Sequence, residues 1–271
     1  MINKIIEIAL SAGKAILNIY NSADFGIEMK DDNSPLTLAD RVSHEVITEG
    51  LKKYFPEIPI LSEEGKDISY DIRKDWQKFW LVDPLDGTKE FIKKNGEFTV
   101  NIALIESGKP SLGVIYAPAL EHDNLQSENE IKTKSKNKLG DFESGVIYFA
   151  DKKSGAFKQI PGFEPLKISV TKNSDNGNIA VKSRSHSSEE EEKILTELNV
   201  VDSISTGSSL KFCMVAEGKA QIYYRHGPTN EWDVGAGYAI AKYAGANIKG
   251  LEFNKENILN DSFLVSSIEN I

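Results

Sequence analysis

The chain is poor in the residues that carry soft-metal or disulfide chemistry. Its 271 residues include one cysteine, Cys213, and four histidines, so no internal disulfide can form and a cysteine-based zinc site lacks its ligands. A reducing compartment is the expected setting. Positive charge is also in deficit. Thirty-two Lys plus Arg stand against 41 Asp plus Glu, a net charge of -9, which opposes broad attraction to a nucleic-acid backbone and removes nucleic acid from the expected partners. No apolar run approaches the ~18 residues of a membrane span. The first twenty residues carry Lys4, Glu7 and Lys14 among their apolar positions, unlike the core of a signal peptide. A cytoplasmic protein without a transmembrane segment is expected; peripheral association with the inner membrane, and the choice between monomer and homodimer, stay open.

What remains is ordinary globular material, 40% hydrophobic and 27% charged, so disordered and collagen-like readings fail. Ile2, Ile5, Ile6, Ala9, Gly13, Ile16 and Tyr20 recur at spacings of three and four, which predicts an amphipathic helix. A second helix is expected over 37–54, with Val42, Val46, Ile47 and Leu51 inward and Pro56 closing it, after a polar turn at 30–35. Short apolar runs at 58–61, 79–82, 99–105 and 112–116 read as strands, the last two joined by a hairpin loop over 106–110. Residues 121–178 offer one strand, 146–150, and no chemistry. Beyond them strands at 179–183, 201–205 and 220–224 alternate with helices at 188–198, 209–217 and 233–243, an α/β pattern. The expected organisation is an α+β lobe over 1–150 and an α/β lobe over 151–271, one compact unit with a cleft between them.

Candidate chemistry concentrates in acidic motifs. Asp83-Pro84-Leu85-Asp86-Gly87-Thr88 follows an apolar strand. Turn residues alone would account for this composition, yet two carboxylates three apart across a proline-stiffened turn, together with the Leu85 carbonyl, make an oxygen donor set suited to Mg²⁺. Gly87 and Thr88 then open a segment whose free amides favour a phosphate. Glu63 and Glu64 end another strand, where a solvated acidic turn is the plainer reading. Asp233 opens a helix, and Thr37-Leu38-Ala39-Asp40 has capping-box spacing, so capping is the plainer reading for both aspartates.

Taken together, Leu61-Ser62-Glu63-Glu64, Asp83 to Thr88 and Trp232-Asp233 resemble, in order and spacing, the signature set of the Mg²⁺-dependent, lithium-sensitive phosphatases of the inositol monophosphatase superfamily. The long match from Val82 to Leu104, with Gly207-Ser208-Ser209-Leu210-Lys211-Phe212-Cys213, is similar to its bisphosphate nucleotidase branch. The resemblance covers residues 1–118 and 179–265. It implies a layered αβαβα sandwich and two or three Mg²⁺ ions held by Glu63, Asp83, the Leu85 carbonyl, Asp86 and Asp233. It also implies that Asp40 and Thr88 orient and activate the attacking water, with Glu63 contributing to catalysis as a ligand and Glu64 acting from behind it.

For substrate, the resemblance implies removal of the 3'-phosphate of adenosine 3',5'-bisphosphate to leave AMP, with its sulfated form as a related substrate in sulfur assimilation. Inositol-directed relatives usually carry an acidic residue after the paired tyrosines, whereas this chain has Tyr223-Tyr224-Arg225. Arg225 and Lys211, four residues after Gly207, fit a second phosphate remote from the metals. Gly87, Thr88, Ser208 and Asp233 complete the expected substrate contacts, and His186 matches a residue that faces the base. The alternatives are an inositol monophosphatase or sugar bisphosphatase and, from another class, a phosphonucleotide sensor that does not hydrolyse. Cys213, in an apolar helical stretch, reads as a packing thiol.

Overall fold

The computed structural model describes residues 1–22, 25–29, 35–121, 144–171, 177–184 and 188–268. Helix α1 (Ile2–Tyr20) buries Ile5, Ile8, Ala9, Ala12 and Ile16 along one stripe, as the spacing requires. Helix α2 (Leu38–Tyr54) starts at Thr37, whose hydroxyl accepts the Ala39 amide at 3.2 Å. Its inward face is more polar than expected. Val42 and Val46 are half-buried, whereas Asp40, Ser43 and Thr48 are buried beside Ile47 and Leu51. Ser43 donates to the Pro84 carbonyl at 2.7 Å and His44 Nδ1 lies 2.9 Å from Ser62 Oγ, so this face reads the two strands that carry the acidic motifs. A short ribbon of β1 (Glu28–Met29) and β2 (Pro35–Leu36) lies between the helices in sequence.

A seven-stranded sheet follows in chain order: β3 (Ile60–Ser62), β4 (Lys78–Asp86), β5 (Thr99–Glu106), β6 (Lys109–Ala117), β7 (Val146–Asp151), β8 (Gly155–Gln159) and β9 (Leu166–Ile168). Only β3 and β4 run parallel. Helix α3 (Tyr70–Arg73) falls between β3 and β4, and α4 (Thr88–Ile92) between β4 and β5. The β5–β6 hairpin turns on Ser107 and Gly108, both with positive φ, the two-residue geometry that matches strand twist. The 150/151 lobe boundary expected from sequence falls inside the β7–β8 hairpin, and the sheet runs on to Ile168.

The second sheet has the order β11-β10-β12-β16-β14, from β10 (Asn178–Ser183), β11 (Val200–Thr206), β12 (Ile222–Arg225), β14 (Asn247–Lys249) and β16 (Phe263–Ser266). A small ribbon pairs β13 (Thr229–Asn230) with β15 (Leu259–Asn260). Its helices are α5 (Glu189–Glu197), α6 (Leu210–Ala216) and α7 (Glu231–Ala244). No described helix is long and apolar enough to cross a membrane.

The alternation along β4 fixes the layers. Trp80 and Val82 face the core under α1 and α2, while Phe79 and Leu81 face the core built with α6, α7, Tyr223 and Phe263. A third cluster, Ala180, Leu195 and Ile222, seats α5 on the outer face of the second sheet. The order is therefore helix pair, sheet, helix pair, sheet, helix: the αβαβα sandwich.

Helix α7 sits close on the first sheet. A Cβ on Gly113 of β6 would stand 2.5 Å from the Ala236 carbonyl and 2.9 Å from the Ala239 Cβ. Gly113→Ala should cost about 1–3 kcal/mol through overpacking, read as a lower denaturant midpoint; an unchanged midpoint would show that α7 moves off the sheet freely.

Candidate active site

The parallel pair β3–β4 brings the acids together. Ser62 pairs with Val82, and the Glu63 amide donates to the Val82 carbonyl at 3.1 Å, so Glu63 leaves β3 beside Asp83. The expected turn after Val82 is instead a bulged strand. Pairing with β5 jumps from Asp83–Asn101 to Asp86–Thr99, so Pro84 and Leu85 oppose Val100 alone. Proline lacks the donor that a regular ladder needs, and the bulge is where that lack is tolerated. The Leu85 amide turns inward onto Asp83 Oδ1 at 3.1 Å. The bulge thereby aims Asp83, the Leu85 backbone and Asp86 toward one cavity.

Asp40 and Asp233 are both capping residues and site residues. Asp40 Oδ2 accepts the Thr37 amide at 2.8 Å and the Thr37 hydroxyl at 2.6 Å, while Oδ1 accepts the Thr88 hydroxyl at 3.2 Å. Asp233 Oδ2 accepts the Asn230 amide at 2.8 Å at the start of α7. Capping holds one oxygen of each carboxylate, which fixes the direction of the other.

Asp86 is supported from the second sheet's side as well as from β5. Its Oδ2 accepts the Ser209 amide at 2.6 Å and Asn101 Nδ2 at 3.4 Å. Behind it Thr99, Asn101 and Ser209 close a buried triangle of contacts between 2.8 and 3.1 Å. Sequence reasoning assigned Asn101 and Ser209 no role. The available signal was polar Thr99 and Asn101 alternating with Val100 and Ile102 on a strand buried on both faces.

An open cavity of about 370 Å³ joins these groups. Glu63, Asp83, Leu85, Asp86, Gly87, Thr88, Ser208, Lys211, Arg225 and Asp233 line it, and Asp40 stands behind Thr88. His186 lies outside the described residues. Two placements differ from the sequence picture. The Ser208 hydroxyl lies 2.9 Å from the Asp86 carbonyl and 2.7 Å from the Glu97 carbonyl, so it ties chain segments together. Gly87, at φ +90°, makes room for it. Lys211 is buried, with Nζ on the Ser208 carbonyl at 2.6 Å and over the Tyr223 ring, and its charge acts most strongly on Asp86. That places it on the acidic side of the cavity, not remote from it. Arg225 is paired with Glu191 at 3.9 Å.

The electrostatics ask for a cation. Burial pushes the Asp83 and Asp233 carboxyls well above the usual carboxylate range, and repulsion among them, Glu63 and Asp86 adds to the effect. Desolvation raises Asp86 to about 6, with Lys211 and the Ser209 amide holding it down. Among the described residues, no three His, Cys, Asp or Glu side chains stand close enough, as arranged, to hold a metal ion. The acids form an open shell of oxygen donors, which fits a hard cation that keeps part of its water. Cys213, by contrast, is fully buried and burial pushes its thiol well up, as a packing residue requires.

The pattern of the inositol monophosphatase family matches residues 1–270, and the chain belongs to that family of phosphatases. It is 43% identical over 273 residues to the 3'(2'),5'-bisphosphate nucleotidase CysQ of Salmonella typhimurium, covering 98% of this chain and 99% of the relative. The protein of the same name from Buchnera aphidicola is 40% identical over 92% of this chain and 84% of its own. Among solved structures, CysQ from Bacteroides thetaiotaomicron superposes with a TM-score of 0.77 at 40% identity, covering 97% of this chain and 95% of that one. An IMPase of Thermotoga maritima shares the fold at 23% identity and a TM-score of 0.72, over 97% and 90% of the two chains. The resemblance read from the motifs and the layered sandwich are both borne out.

A raised folded-state carboxyl pKa makes the fold bind protons more tightly than the unfolded chain, so metal-free stability should fall as pH rises from about 4 through about 6, where Asp86 titrates. Adding Mg²⁺ should then raise the melting temperature more at about pH 8 than at about pH 5. Asp233→Asn should raise the metal-free melting temperature and shrink the Mg²⁺ increment. Equal Mg²⁺ increments in wild type and Asp233→Asn, by thermal melting, would contradict this account of the acids.

Proposed function

We infer that this chain is a Mg²⁺-dependent phosphomonoesterase that removes the 3'-phosphate of adenosine 3',5'-bisphosphate. The observation that carries the reading is one cavity lined by Asp83, Asp86 and Asp233 as well as by Arg225, in a chain matched end to end by relatives named as bisphosphate nucleotidases. Glu63, Asp83, the Leu85 carbonyl, Asp86 and Asp233 would hold Mg²⁺, which when bound supplies positive charge against the phosphoryl and leaving oxygens.

The chain's own contribution to the attack is Thr88 and Asp40. Thr88 gives its hydroxyl proton to a hydrogen bond with Asp40 Oδ1, so its oxygen lone pairs are available to accept from a water in the cavity. Asp40, anchored by Thr37 on its other oxygen, cannot swing away. The pair orients water for in-line displacement on phosphorus with Asp40 as the ultimate proton acceptor, and no covalent phosphoenzyme is needed.

Arg225 is the specificity element in this reading. Its guanidinium is largely buried and backed by Glu191, leaving a cation suited to a second anionic group. A substrate with one phosphate ester uses only the acidic side. Charge-assisted hydrogen bonds to a phosphate contribute about 1.5–3 kcal/mol each, so Arg225→Ala should lower kcat/KM for adenosine 3',5'-bisphosphate roughly ten- to a hundredfold. Turnover of inositol 1-phosphate should stay near the wild-type value. Equal falls for both substrates, or wild-type preference for inositol 1-phosphate, would overturn the substrate assignment in favour of an inositol-directed enzyme.

A further inference from the structure

The C-terminal ends of β10 and β11 lie side by side, Ser183 opposite Thr206, and one carboxylate from the other sheet's side ties both. Glu97, in the loop between α4 and β5, accepts Arg184 Nε at 2.8 Å and Nη2 at 2.6 Å on its two oxygens. Its Oε2 also accepts the Gly207 amide at 2.9 Å. The approach is tight: a Cβ on Gly207 would stand 2.9 Å from the Glu97 carbonyl oxygen. The same carbonyl and that of Asp86 share the Ser208 hydroxyl. One residue further on, the Ser209 amide meets the Asp86 carboxylate at 2.6 Å.

An exposed ion pair contributes little, and the Arg184 side chain is 48% exposed. Glu97 is 15% exposed, however, and its third hydrogen bond goes to main chain. The planar guanidinium fork fixes the plane of the Glu97 carboxylate, and that plane sets where the Gly207 amide can sit.

We propose that Glu97 is a positioning residue for Asp86: clamped by Arg184, it fixes the turn at 207–209 so that the Ser209 amide orients the Asp86 carboxylate toward the cation. The proposal rests on Asp86 being a Mg²⁺ ligand. Groups that orient metal ligands typically change metal affinity about 10- to 100-fold. The test is calorimetric titration of the substrate-free protein with Mg²⁺ alone, paired with thermal melting, for wild type, Asp86→Asn, Glu97→Gln, Arg184→Met, Arg184→Lys and the Glu97→Gln/Arg184→Met double variant.

Glu97→Gln, which keeps the shape of the side chain, and Arg184→Met should each weaken Mg²⁺ binding about tenfold. The double variant should be no weaker than the worse single one, because both act through one contact. Arg184→Lys, which keeps the charge but not the fork, should recover little of the affinity. Wild-type Mg²⁺ affinity in Glu97→Gln, with or without a lower melting temperature, would overturn the proposal while leaving the metal reading intact. Mg²⁺ binding that is absent from wild type, or unchanged in Asp86→Asn, would overturn the metal reading and the proposal with it.

Discussion

Repulsion among Asp83, Asp86, Asp233 and Glu63 across a desolvating cavity is the constraint around which the molecule is organised. Keeping Asp86 ionised at neutral pH, against a carboxyl raised to about 6, costs the metal-free fold on the order of 3 kcal/mol. That is a sizeable fraction of the ~5–15 kcal/mol by which a domain is usually stable. The two large cores on either side of the first sheet hold the acids against this repulsion. The parallel β3–β4 pair delivers Glu63 beside Asp83, the bulge re-aims Asp86, and α7 brings Asp233 from the far side. A bound cation would offset that repulsion. The same arrangement that destabilises the fold therefore favours positive charge in the cavity.

Helix capping and site chemistry are not competing explanations for Asp40 and Asp233. Each sits at the third helical position, and each spends an oxygen on the backbone before its helix. The carboxylate inherits the rigidity of a helix start, and helix starts are held by the packing of long apolar stripes. Asp40 thereby stands fixed behind Thr88. Lys211 follows a related logic. Burial lowers its pKa, while nearby Asp86 favours its charged form, so the ammonium and the carboxylate sustain each other's ionisation at the wall of the cavity.

How much the sequence revealed depended on range. Ile5, Ala9 and Ile16 announce α1, and Phe79 to Val82 announce β4, because their signal is periodicity within one element. The acids from Asp83 to Thr88 are legible because the motif is continuous. The contacts that complete the site are long-range: Ser209 reaches Asp86 across 123 residues, and Arg184 reaches Glu97 across 87. Nothing local marks either partner. Strands β8 and β9 were invisible for another reason. They lie in a polar stretch where Lys158 is buried only because Glu217, from the end of α6, meets it at 2.6 Å, and a lysine in a strand reads as exposed until its partner is known. In sequence the bulge at Pro84 and Leu85 reads as a turn, because both use the same residues and differ only in whether pairing with β5 resumes.

One cation shared by Glu63, Asp83, Asp86 and Asp233 would be directly visible. Crystals of the protein soaked in Mn²⁺, an oxygen-seeking stand-in for Mg²⁺ with a measurable anomalous signal, test it most directly. Anomalous density is expected in the cavity between Asp83, Asp86 and Asp233, within coordinating distance of Glu63, and should be lost in Asp86→Asn. Density confined to surface carboxylates, with the cavity empty at saturating Mn²⁺, would contradict it.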